Sequence, residues 1–131
     1  MMYRSTTRGI QITVEPAYMA EQSLPQSGRY FWSYTIEIAN LGEETVSLLS
    51  RYWKITDGNG KIQEVRGEGV VGEQPTIGPG SSFTYTSGCP LETPQGIMVG
   101  AYVMEGQGGE MFSVDIPAFS LDLPTAARVL H

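Results

Sequence analysis

The sequence predicts an all-β domain, a two-layered sandwich of seven to eight antiparallel strands. Three observations predict it. Apolar residues recur with a period of two along most of the chain, as in strands with one buried face. Turn-forming residues separate these runs at intervals of about 8–12 residues, the spacing of sandwich strands. No window of about a dozen residues sustains the 3.6-residue helical period, and the 16 glycines and 8 prolines are dispersed as turns are.

Ile10, Ile12 and Val14 alternate with Gln11 and Thr13 and predict the first strand. Glu15 to Gly28, polar and carrying Pro16 and Pro25, reads as a loop. From Tyr30 a long strand puts Tyr30, Trp32, Tyr34, Ile36 and Ile38 on one deeply buried face. Asn40 to Glu43 is a turn. The strand Thr45–Thr56 then sets Val46, Leu48, Ser50, Tyr52 and Lys54 against Ser47, Leu49, Arg51, Trp53 and Ile55. Asp57-Gly58-Asn59-Gly60 tolerates positive φ and predicts a hairpin, returning over Lys61–Val65. Further strands are expected at Ser82–Thr86, at Gln95–Glu105 and at Glu110–Ile116, the last two joined by Gly106-Gln107-Gly108-Gly109. Pro117 is expected to interrupt, with a short edge strand after it over Ala118–Leu123 and at most a terminal turn at Ala126–Leu130.

At 131 residues the chain is one domain, its core spanning about 9–124 between flexible tails at 1–8 and 125–131. A net charge of −6 without a basic run argues against a nucleic-acid binder, since that affinity comes from neutralising phosphates, and leaves open only a local basic patch around Arg51, Lys54, Lys61 and Arg66. No segment approaches the ~20 apolar residues that span a bilayer. The N-terminus lacks the apolar stretch of a secretory signal, and Cys89 is the only cysteine, so a reducing, cytoplasmic setting is expected. The only histidine is the terminal His131, which leaves catalytic triads and zinc or copper sites without ligands. No catalytic residue, no metal ligand set and no cofactor is expected.

Arg66 to Gly80 reads RGEGVVGEQPTIGPG, and Gly67-x-Gly69-x-x-Gly72 spells the glycine pattern of a dinucleotide-binding turn. That turn works by delivering a helix N-terminus to pyrophosphate. Here Pro75, Gly78, Pro79 and Gly80 follow, and no helix continues through them. The glycines read better as a bulged strand and turns. An anion cradle of backbone amides with Arg66 as counter-charge stays open.

The ordered series Arg51-Tyr52-Trp53-x-Ile55-Thr56-Asp57, Glu64-Val65-x-Gly67-x-Gly69-Val70-Val71-Gly72-Glu73-Gln74-Pro75, Pro79-Gly80-x-x-Phe83-x-Tyr85, Thr93-Pro94-x-Gly96-x-Met98-x-Gly100-x-Tyr102-x-Met104 and Phe112-x-Val114-x-Ile116-Pro117-x-Phe119 resembles the ApaG family. The resemblance runs from Ile10 to about Pro124. It implies an immunoglobulin-like or fibronectin type III-like sandwich and a bacterial cytosolic protein without established catalysis. It also implies a family associated with cobalt resistance and magnesium efflux. Tyr52 stands where the family often has histidine, so no metal role carries over to it.

Two function classes follow. The first is a protein-interaction module with an unidentified protein partner, its surface formed by the Arg66–Gly80 region and strand Arg51–Asp57, with Arg51, Trp53, Glu73 and Gln74 in contact. The second is an anion-, pyrophosphate- or nucleotide-binding protein using Arg66, Gly67, Gly69 and Gly72. A phosphohydrolase using Glu68 and Glu73 with Mg²⁺ ranks last. Homodimerisation through a strand edge, with Gln95–Glu105 as the unblunted candidate, is also expected.

Overall fold

The computed structural model describes residues 1–124. Two antiparallel sheets face each other across one core. The first sheet has the order β1 (Tyr3–Thr7), β2 (Ile10–Tyr18), β3 (Tyr30–Asn40), β7 (Ser82–Leu91). The second has the order β5 (Ile62–Glu68), β4 (Val46–Asp57), β8 (Gly96–Glu105), β9 (Met111–Leu121), and the two-residue β6 (Thr76–Ile77) also pairs with β4. The expected sandwich is present.

Burial explains the pattern. Trp32, Tyr34, Ile36 and Ile38 of β3 meet Leu48, Trp53 and Ile55 of β4 and Met98, Tyr102 and Met104 of β8 within one apolar cluster. The Trp53 ring centroid lies 5.4 Å from that of Tyr34 across the layers and 5.8 Å from that of Phe119 within its own sheet, geometry that adds about 0.5–1.5 kcal/mol per pair beyond area burial.

Five expectations need correction. The tail 1–8 is not free: Tyr3–Thr7 is strand β1, joined to β2 by a tight turn with Arg8 at φ 48° and Gly9 at φ 79°. Tyr3 Oη bonds Ser120 Oγ at 3.0 Å, and Ser5 Oγ donates to the Asp115 carbonyl at 3.2 Å, closing this side of the sandwich against β9. The loop expected from Glu15 begins only after Tyr18. Pairing with β1 ends at Val14, so Pro16 needs no ladder donor on that side. Pro117 does not interrupt β9, because β9 is an edge strand and a register shift opposite Met98–Gly100 absorbs the irregularity.

The strand Gln95–Glu105 is not an edge. β8 lies between β4 and β9, so its backbone is paired on both sides. Finally, the two faces expected of β4 are each half right. A bulge between Leu48 and Ser50 inserts a residue and reverses the parity. Val46 and Leu48 point inward before it, Trp53 and Ile55 after it. The C-terminal tail 125–131 and the terminal turn lie outside the described residues.

Candidate functional site

The bulge at Leu49 decides what each half of the Arg51–Asp57 strand presents. Arg51, Trp53 and Ile55 face the interior, while Tyr52 and Lys54 face solvent on the outer side of the second sheet. Trp53 is 3% exposed and is core, so it leaves the expected interaction surface.

The glycine run proves to be a strand end and a turn. Gly67 belongs to β5, where a Cβ would lie 2.8 Å from Arg51 Nη1. The guanidinium occupies the space a side chain would take. At Gly69, with φ 63°, a Cβ would collide with the Glu73 carbonyl. Val70 and Glu73 exchange backbone hydrogen bonds at 2.8 and 2.9 Å around Val71 and Gly72, both at positive φ (43° and 81°). This is a type I′ turn. The Gly69 amide donates to Leu49 O and the Val70 amide to Glu73 O, so two amides of the expected anion cradle are already engaged. The Val71 and Gly72 amides at the tip of the turn donate to no backbone carbonyl among the described residues. Gln74 Nε2 donates to Leu49 O at 2.9 Å, and Glu73 is exposed at the turn.

Arg66 does not serve this turn. It lies on the outer face with its guanidinium 4.7 Å from the Tyr52 ring centroid and 3.7 Å from Glu64. Tyr52 donates to Glu64 Oε2 at 2.6 Å, and that bond raises the tyrosine's pKa first of all, with small help from burial and the carboxylate's charge. The arginine under the glycines is Arg51. Its Nη1 donates to the carbonyls of Glu68 (3.1 Å) and Gly69 (2.9 Å). Beside it opens a cavity of about 300 Å³ between the sheets, lined by Tyr34, Trp53, Glu68, the Val70–Gly72 turn, Tyr85 and Ser87. Burial raises the pKa of the Tyr34, Tyr85 and Tyr102 hydroxyls, and the Arg51 charge partly offsets it in all three. Tyr85 and Tyr102 bond each other at 2.5 Å.

The outer face of the second sheet is a surface that sequence reading passed over. Cross-strand register aligns Arg66, Tyr52, Ala101 and Asp115 in one row, and Ile62, Thr56, Ile97 and Ser120 in another. Down the middle run Ile97, Val99, Ala101 and Val103 of β8. Ile97 is 53% exposed, Val99 37% and Val103 36%. The alternation Ile97/Val99/Ala101/Val103 against Met98/Gly100/Tyr102/Met104 was visible, but two apolar faces on one strand do not say which is covered. The inward face holds the larger side chains.

Among the described residues no three His, Cys, Asp or Glu side chains cluster as metal ligands. Cys89 is buried, and burial pushes its thiol up to about 11, away from the thiolate that reacts.

A family model described as the ApaG domain matches residues 20–106. Protein ApaG of Brucella anthropi is 62% identical over 130 residues, covering 99% of this chain and all of that one. Protein ApaG of Xanthobacter autotrophicus is 59% identical with the same coverage. The crystal structure of a protein described as ApaA from Bordetella pertussis superposes with a TM-score of 0.87 at 47% identity, over 88% of this chain and 94% of that one. The chain belongs to the ApaG family.

Proposed function

We propose that this protein is a non-catalytic interaction module whose partner docks on the outer face of the five-stranded sheet. The carrying observation is the exposed apolar column Ile97–Val99–Ala101–Val103 on the central strand β8. A strand open to water on one side ordinarily places polar residues there. β3 does so, with Ser33, Thr35 and Glu37 outward. The column is bordered by Tyr52 stacked under Arg66, two residue types enriched where interfaces concentrate their binding energy. Glu73 and Gln74 lie near the β5 end of the same sheet and extend the surface. The cobalt and magnesium associations of the ApaG family point to a partner that handles divalent cations, and the setting is cytoplasmic.

The test is comparative. Val99→Asp/Val103→Asp should leave the circular dichroism spectrum unchanged and abolish co-purification of whatever protein the wild type recovers. Recovery of the same protein at the same yield would contradict the assignment.

A further inference from the structure

The cavity beside Arg51 lies on the inward side of β4, apart from the docking face. Its arginine is unusual in how its donors are spent. A guanidinium carries five N–H groups in a planar fork. The two on Nη1 go to Glu68 O and Gly69 O, which fixes the side chain's plane under Gly67. The Nε and Nη2 groups, which together make the side-on edge, have no hydrogen-bond partner among the described residues. Among the described residues no carboxylate forms an ion pair with Arg51, although Glu68 lines the same cavity. Solvent still reaches these nitrogens, since none is a sealed, unsatisfied atom.

A half-buried charge normally acquires a counter-ion or stays fully hydrated. Here the free edge has the shape that pairs bidentately with a planar carboxylate. The hydroxyls of Tyr34 and Ser87 and the turn residues Val71 and Gly72 border the same space.

We propose that the cavity between Arg51 and the Val70–Glu73 turn is a carboxylate-binding site, with the Nε/Nη2 edge of Arg51 as its anchor. A dianionic phosphate suits it less, because the Glu68 carboxylate borders the site. The carboxylate could belong to a small organic acid or to the C-terminus of a peptide, and the experiment separates these sources.

The Arg51 Nε–H signal and the Val71 and Gly72 amides would be followed by NMR. Ligands are acetate, succinate, and an alanine tetrapeptide with a free or an amidated C-terminus, against sodium chloride at matched ionic strength. The proposal expects saturable shifts at those three groups with carboxylates and none with chloride. Saturation by the free-acid peptide, with acetate and succinate at least tenfold weaker, assigns the site to peptide termini. Comparable saturation by succinate assigns it to free acids. Ser87→Ala, which leaves the Arg51 anchor and the turn intact, should weaken binding severalfold. Arg51→Lys, which keeps the charge but loses the fork, should weaken it at least tenfold. Shifts that never saturate, that chloride reproduces, or that Arg51→Lys leaves unchanged would overturn the proposal. Co-purification on the outer face would be untouched by that result.

Discussion

Val71 is the residue whose sequence and conformation disagree most. It is a β-branched side chain at φ 43°, 54% exposed, at the first central position of a type I′ turn. Such placements cost about 1–3 kcal/mol. Asn-Gly is the preferred pair for this turn. Val71→Asn should therefore raise stability by about 1 kcal/mol, read as a higher urea midpoint at constant slope. A lower midpoint would mean the valine makes compensating contacts. The buried hydroxyl pair behaves in the opposite sense. Tyr102→Phe strands the Tyr85 hydroxyl, which is 7% exposed as a residue, and should cost about 1–3 kcal/mol in the same measurement. The titrations add a pH prediction. Burial favours the neutral thiol and phenols in the fold, so their folded pKa values exceed the unfolded ones. Their stabilisation is complete below the unfolded values and is lost as pH rises. For Cys89 that window runs from its ordinary 9.0 to about 11. Alkaline destabilisation should begin near pH 9, and a disulfide thiol reagent should label Cys89 only after unfolding.

At the scale of the element, β1 and the β4 bulge carry the lesson. Tyr3–Thr7 was illegible because its alternation is polar and its turn, Arg8-Gly9, lacks the Asn or Asp that advertises a hairpin. It is held by tertiary contacts: Tyr3 packs 6.1 Å from Phe119 and bonds Ser120, and Arg8 lies 4.3 Å from the Phe112 ring centroid. Tyr3→Ala should cost about 1–2 kcal/mol through lost aromatic packing and one hydrogen bond. An unchanged urea midpoint would show β1 to be dispensable. β4 was recognised as a strand, yet a single inserted residue at Leu49 moved Arg51 and Trp53 indoors. Local pattern cannot reveal a bulge, because both faces of β4 mix polar and apolar residues. Sequence adjacency therefore points to Arg66 as the partner of the glycines, whereas Arg51 holds that place. That no helix follows the glycines is legible in the sequence, since Pro75 and Pro79 on their C-terminal side stop one.

At the scale of the molecule, the two sheets divide the work. One side is closed, where β1 meets β9 through the Tyr3–Ser120 and Ser5–Asp115 bonds. The opposite side holds the cavities between β5 and β7. Within the aromatic core, burial raises the pKa of the Tyr34, Tyr85 and Tyr102 hydroxyls. The most direct measurement is affinity co-purification at native expression, comparing the wild type, Val99→Asp/Val103→Asp on the second sheet, and Glu37→Lys on the outer face of the first. The account predicts a protein partner retained by the wild type and by Glu37→Lys and lost from the double variant. A partner retained equally by all three, or none recovered above background, would contradict it.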